Sequence, residues 1–328
     1  MKLLVLSATE VRDLLPDAAC AEVMRDALAA LARGQAHQPL RTVIQPPGGA
    51  GLMALMPSFL GGENPAYGLK AICIFPGNPA LGRDAHQGGV FLSSATTGEP
   101  LALLNGSAVT EIRTAAVSAV ATSLLARPDA AHLAIIGTGV QARAHALAIA
   151  ASRPLAEIRL AGRQPGRAAR LAAQLRDRLA VPILACDDAE EALAGASIVV
   201  TATSSATPVL RREWLADGTH INAVGACLPA AREIDAATMA AAALFVDSRA
   251  SAAGESGDFL LALAEGAIDA GHIRAELGDV LTGSAQGRRD AREITVFESL
   301  GLAVEDLAAA AYLYREASRD GAGSWVEF

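Results

Sequence analysis

Through the middle of the chain, short apolar runs alternate with longer helical patterns. "HLAIIG" (132–137) reads as a strand and "VQARAHALAIAAS" (140–152) as a helix. "EIRLAG" (157–162) is a second strand, followed by an Ala/Arg/Leu helix over 166–179. "VPILAC" (181–186), "SIVVTAT" (197–203), "HINAVG" (220–225) and "ALFVDS" (243–248) continue the series, with a short acidic helix at 187–194. Apolar runs bounded by turn residues and separated by helical periods predict a doubly wound parallel sheet over roughly 130–250.

The first hundred residues follow another rule. "RTVIQP", "GLMALMP", "GLKAICIF" and "GGVFLSSATTGEPLALLN" are short stretches cut by Gly, Pro and turn pairs, and "TTGEP" has the composition of a hairpin tip. They predict an antiparallel sheet. "AVTEIRTAAVSAVATSLLA" (108–126) is a long helical pattern leading into the α/β region. "LGLAVEDLAAAAYLYREAS" is a second one, predicted to pack back on the first sheet. There is no internal repeat and no low-complexity linker.

Composition narrows the function classes. At 328 residues and 52% hydrophobic, the chain can bury a large core in two domains. A formal charge of −8 without a basic tract argues against nucleic acid or an anionic membrane as partner. Cys20, Cys73, Cys186 and Cys227 form no CxxC pair, so neither a zinc site nor a disulfide framework is expected. Reduced thiols and an N-terminus too short in apolar residues for a signal peptide suggest a cytoplasmic protein. No apolar segment is expected to span a membrane.

"IIGTGVQA" gives the chemistry its first anchor. Gly137, Gly139 and Ala142 form G-x-G-x-x-A directly after a strand and at the start of a helix. The first glycine permits the tight turn, the second lets a pyrophosphate approach the backbone, and the small third residue lets helix and strand pack closely. The helix N-terminus offers amide donors to the anion. The end of the next strand selects the cofactor. "LAGRQPGR" has no carboxylate to bind a ribose 2′-hydroxyl, whereas Arg163, with Gln164 beside it, suits a 2′-phosphate. NADP(H) is therefore expected, with NAD(H) possible.

With these motifs in place, the chain resembles the ornithine cyclodeaminase/mu-crystallin family. The resemblance rests on "TEIRTAAVSAVAT" (110–122), "IIGTGVQARAHA" (135–146), "INAVGA" (221–226), "REID" (232–235), "VDSRASAAGESGD" (246–258) and "ITVFESLGLAVEDLA" (294–308), in family order. "INAVGA", "VDS" with "ESGD", and "RTAAVSA" look closer to the mu-crystallin side. The resemblance implies a Rossmann-type domain (113–300) inserted in an antiparallel-sheet domain for substrate binding and dimerisation (1–112 plus 301–328). It also implies a homodimer, and hydride transfer at the α-carbon of an amino or imino acid.

The family holds the substrate carboxylate with basic residues of the first domain, which match Arg41, Lys70 and Arg113 here. A carboxylate beside a reacting carbon needs fixed cations, and arginine offers a bidentate fork. Lys70 stands in an apolar stretch, where a solvated lysine would be out of place. A buried lysine loses proton affinity and can deliver a proton. Thr114, next to Arg113, is expected to approach the cofactor. His86 is read either as pocket-lining or as solvated, His220 as structural, and Ser299 and Gly301 as matching a family segment near the nicotinamide. No role for Asp258 follows from the sequence. Glu233 and Asp235 read as acids at a helix N-terminus.

Two positions depart from the cyclodeaminases, which bind a distal substrate amine. The aspartate they carry after the fifth strand matches Cys227, and the glutamate before their Leu-Met-Pro segment matches Ala54. A thiol with a pKa near ~8.5 cannot replace that charge at neutral pH. The expected function is reduction of a small cyclic or acyclic 2-imino acid, of the ketimine reductase kind. The alternatives are an ornithine cyclodeaminase and a dinucleotide-dependent small-ligand binding protein.

Overall fold

A computed structural model of the chain describes residues 2–328, Pro165 by its backbone only. It contains two compact units, one formed by residues up to Arg113 together with Gly301–Phe328, the other by Thr114–Leu300.

The first unit is an eight-stranded sheet of β1 (Lys2–Leu6), β2 (Ala36–His37), β3 (Thr42–Ile44), β4 (Leu52–Leu60), β5 (Ala66–Ile74), β6 (His86–Ser94), β7 (Pro100–Asn105) and β16 (Ser324–Glu327). The order is β16-β1-β7-β6-β5-β4-β2, with β3 on β4. All pairs are antiparallel except β1 with β7, so the expected antiparallel sheet gains one parallel contact. The apolar N-terminal run "KLLVL" is itself a strand, which pairs with the C-terminal β16, and the sequence patterns single out neither. "TTGEP" lies between β6 and β7, as the turn composition indicates. Helices α1 (Ala8–Leu14), α2 (Asp17–Ala32) and α11 (Ala303–Asp320) complete the unit, and α11 lies along β4, β5 and β6.

The period-2 alternation of a strand sorts this sheet into two faces. Met56 pairs with Lys70, Lys70 with Val90, and Val90 with Leu104, so these four form one buried row. The adjacent residues point the other way. Met53, Tyr67, Leu69 and Leu103 are large, apolar and exposed.

Helix α3 (Gly106–Leu125) carries the chain into the second unit. By length and composition alone it passes the test for a helix that could cross a bilayer. In its most apolar window 83% is buried within the protein, so it serves here as a core helix.

The second unit is a fully parallel sheet of β8 (His132–Ile136), β9 (Glu157–Ala161), β10 (Ile183–Ala185), β11 (Ile198–Thr201), β12 (His220–Ala223), β13 (Ala243–Val246), β14 (Ile273–Glu276) and β15 (Thr295–Glu298). Its order is β10-β9-β8-β11-β12-β15-β13-β14, the doubly wound arrangement. α4 (Val140–Ser152), α5 (Pro165–Arg176), α6 (Ala189–Leu193), α7 (Ala236–Ala241), α8 (Arg249–Glu255), α9 (Gly257–Ala264) and α10 (Leu277–Thr282) connect the strands. Near-continuous apolar strands such as "HLAII" and "IVVT" supply both faces of the sheet, each covered by its own apolar cluster. β14 and β15 lie beyond the six strands expected, and β15 inserts between β12 and β13.

Candidate active site

The glycine loop joins β8 to α4. Gly137 has φ +135, and a Cβ there would lie 2.3 Å from the Ala202 carbonyl oxygen, so only glycine fits. Gly139 is the N-cap of α4 and has no side-chain cap, and a Cβ there would meet nothing within 4 Å. The open space and the uncapped amides make a cradle for an anionic group. Ala142 is fully buried, as close helix–strand packing requires. Arg163 and Gln164 are exposed just beyond β9, with Gln164 the N-cap of α5. These residues fit a dinucleotide. Thr114 is buried on α3, one residue after Arg113.

In the first unit, Arg41, Lys70 and Arg113 converge on the start of α11. Lys70 Nζ lies 3.0 and 3.2 Å from the two oxygens of Asp306. Arg113 Nε donates to Asp306 Oδ1 at 3.1 Å, and its Nη1 to Glu305 Oε2 at 2.7 Å. Arg41 Nη2 donates to the Gly301 carbonyl at 3.1 Å. Gly301 has φ +82, and a Cβ there would sit 2.6 Å from Arg113 Nη1, so this turn too must be glycine.

The charges are buried. The Lys70 and Asp306 side chains are 3% and 1% exposed, and those of Arg113 and Glu305 are 5% and 1% exposed. Burial of this kind is tolerated because each charge is matched and hydrogen-bonded. Glu305 also accepts the Leu302 amide at 3.2 Å, reaching back to the N-cap of α11. Burial pulls the Lys70 ammonium down to about 8, with Asp306 opposing the fall and Arg113 adding to it. Burial, then the charges of Lys70 and Arg113, hold His86 below the ordinary imidazole range.

Sequence reasoning misses Glu305 and Asp306. Their signal is two adjacent acids inside the Ala/Leu pattern "LGLAVEDLAAAA", where a surface helix would keep its charges on one outer stripe.

A second set of acids gathers at the strand ends of the parallel sheet, where this fold places its chemistry. Glu233 accepts the Thr203 amide at 2.6 Å through one oxygen and the Gly225 amide at 2.7 Å through the other. It joins the ends of β11 and β12 and is fully buried, so its reading as a helix N-terminal acid is corrected. Asp235 does fill that role, capping α7 at the Thr238 amide. Asp258 Oδ1 accepts the amides of Glu233 and Ile234, both at 2.8 Å. Asp247 accepts those of Ser248 and Leu300 at 2.7 Å. Glu298, at the end of β15, is buried beside Asp258. Burial first, then mutual repulsion, push Glu298 well up, and burial raises Asp258 to about 7.

Cys227 follows this turn half-buried, its thiol donating to the Val224 carbonyl at 3.4 Å. Ala54 is buried on β4, paired with Ile72 and Val43. His220 is fully buried, Nδ1 bonded to Thr295 Oγ1 at 2.9 Å, and burial pulls it to about 3, so it is a neutral structural residue. Ser299 donates its amide to the Ala223 carbonyl at 2.8 Å. Among the described residues, no group of acids, histidines or cysteines has the makings of a metal site.

Comparison with known proteins finds similarity along nearly the whole chain. Residues 1–321 match the ornithine cyclodeaminase/mu-crystallin family. The chain is 40% identical to a Delta(1)-pyrroline-2-carboxylate reductase of Bacillus cereus, over 99% of this chain and 100% of the relative. It is 37% identical to the ketimine reductase mu-crystallin of Mus musculus, over 94% and 96%. The fold superposes on the Delta(1)-pyrroline-2-carboxylate reductase of Thermococcus litoralis, solved with NADH and L-proline, with a TM-score of 0.95, 36% identity and coverage of 98% and 99%. The chain belongs to the ornithine cyclodeaminase/mu-crystallin family.

Proposed function

We propose that the chain reduces small cyclic 2-imino acids with a nicotinamide dinucleotide, NADP(H) by preference. The observation that carries this reading is the cluster of buried Lys70 and Arg113 and half-buried Arg41 around Asp306 and Gly301. It offers fixed cations to a carboxylate, and the Lys70 ammonium has three N–H donors for the two oxygens of Asp306, leaving one for a ligand. Arg41 and Arg113 orient the substrate carboxylate, and Lys70 gives a proton to the imine nitrogen. The dinucleotide, when bound, supplies the hydride that the imine carbon accepts. Gly137 and Gly139 would hold its pyrophosphate, Ala142 packs the helix onto the strand beneath it, Thr114 approaches it, and Arg163 with Gln164 receives the 2′-phosphate. The relatives support a cyclic substrate, being Delta(1)-pyrroline-2-carboxylate and ketimine reductases by name.

Ala54 and Cys227, standing where cyclodeaminases keep acids, leave a distal substrate ammonium without those counter-charges. A reductase needs neither. The chain is further proposed to act as a homodimer through the exposed face of Met53, Tyr67, Leu69 and Leu103. A reducing compartment such as the cytoplasm suits four cysteines that form no disulfide.

The test is oxidation of NADPH and NADH with Δ1-pyrroline- and Δ1-piperideine-2-carboxylate at mildly acidic and neutral pH, with ornithine run alongside. Turnover of the imines with NADPH preferred is expected. Proline and ammonia from ornithine would instead make the chain a cyclodeaminase. Retained cofactor with no turnover of any imino or amino acid would make it a binding protein.

A further inference from the structure

Lys70 and Arg113 come from different elements of the first unit, a strand and a helix, yet both are fixed to one carboxylate. We propose that Asp306 is a positioning residue, which aims the Lys70 ammonium at the substrate nitrogen and locks it to the arginine that orients the substrate carboxylate. The inference rests on the reductase reading and assigns a role to the acid around which its cations gather.

Three features support it. First, Asp306 bonds Lys70 through both oxygens, which fixes the direction of the ammonium as well as its distance. A lysine side chain is a flexible point charge, and a proton donor aimed at a defined atom has to lose that freedom before the substrate arrives. Second, Asp306 Oδ1 is shared between Lys70 Nζ and Arg113 Nε. A displacement of Asp306 therefore moves proton donor and carboxylate clamp together, which keeps the distance between substrate carboxylate and imine nitrogen matched. Third, the neighbouring Glu305 is bonded to Arg113 and to the Leu302 amide. The two acids thus divide the work, Glu305 holding the arginine to the helix start and Asp306 holding the lysine to the arginine.

Lys70 is wholly buried, and an isolated buried ammonium would give up its proton. The charged groups around it are Asp306 and Glu305 of α11, Arg113 of α3, Arg41 before β3, and His86 of β6. Arg113 and Arg41 both disfavour the ammonium, and the carboxylate of Asp306 opposes them. Loss of its charge therefore makes Lys70 release its proton at lower pH, and the alkaline limb of the reduction rate moves to lower pH.

The experiment compares wild type, Asp306→Asn and Glu305→Gln across a pH range of roughly 6–9.5 with Δ1-pyrroline-2-carboxylate and NADPH. For Asp306→Asn the alkaline limb of kcat is expected to move down by about one pH unit or more, leaving a rate that recovers as pH falls. Glu305→Gln is expected to raise KM while its alkaline limb stays with wild type. An alkaline limb for Asp306→Asn that stays with wild type overturns the inference. If Asp306→Asn does not fold, Asp306→Glu takes its place. It keeps the charge, so its limb should stay near wild type while kcat falls through misdirection, and a wild-type kcat would overturn the inference. Wild-type protein inactive on all imines would instead overturn the reductase reading.

Discussion

Glu233 accepts the amide of Gly225 at 2.7 Å, and a Cβ on Gly225 would lie 2.6 Å from the same carboxylate oxygen. The turn after β12 is thus closed by an acid and a glycine that exclude any substitute for each other. Gly225→Ala is expected to cost about 1–3 kcal/mol by overpacking. Glu233→Gln, which turns an acceptor into a donor facing an amide, is expected to cost about the same. Urea unfolding of both variants measures this. A variant within a few tenths of wild type would show that the turn relaxes freely.

Asp258 and Glu298 set a pH dependence of stability. Both carboxyls have folded-state values above their unfolded ones, Asp258 rising from 3.8 to about 7. The folded protein therefore binds more protons than the unfolded chain in that interval, and stability falls as pH rises. The contribution is fully present below about 4 and lost as pH passes through about 7, at roughly 1.4 kcal/mol per pH unit for each proton involved. Asp258→Asn, which keeps an oxygen for the Glu233 and Ile234 amides, should flatten this slope. Unfolding midpoints between about pH 5 and 8 test it.

Lys70 and Asp306 should behave as a coupled pair. Lys70→Ala leaves a buried carboxylate short of its partner and is expected to cost about 3–5 kcal/mol. The double change Lys70→Met with Asp306→Leu removes both charges, while Arg113 keeps Glu305. It should recover at least half of that loss. A double variant less stable than the single one would mean that the pair stabilises the fold outright.

Cofactor choice should follow Arg163. Arg163→Ser is expected to lower kcat/KM for NADPH by about 10–100-fold, the worth of a hydrogen bond to a charged group, with little effect on NADH. Equal losses with both cofactors would remove Arg163 from the selection.

Association should follow Leu69. Exposed apolar faces of this kind mark interfaces. Leu69→Asp is expected to convert a dimer to monomers in sedimentation, and an unchanged mass would place the interface elsewhere.

Periodicity makes the parallel sheet legible because its strands are nearly continuous apolar runs flanked by turns. β15 is legible only as a family segment, since "ITVF" stands after a polar loop with no helical pattern before it to announce a crossover. The glycine loop is legible because its constraint is local to the strand–turn–helix join, and the contact between Gly137 and Ala202 enforces it. The acid partners are not. Asp306 is 236 residues from Lys70, and Asp258 meets Glu233 across 25 residues. Single-sequence patterns carry no record of such pairings. Glu233 looks like a helix acid because it stands two residues before a true N-cap, Asp235.

The insertion of one unit within the other fixes the order in which the site can be built during synthesis. Lys70 and Arg113 leave the ribosome before the parallel sheet, and Glu305 and Asp306 only after it. A nascent chain therefore has to shelter two cations without their acids while the whole span Thr114–Leu300 is added. A chain halted before α11 lacks both acids, so Lys70 and Arg113 stay without the partners that hold them in the folded protein.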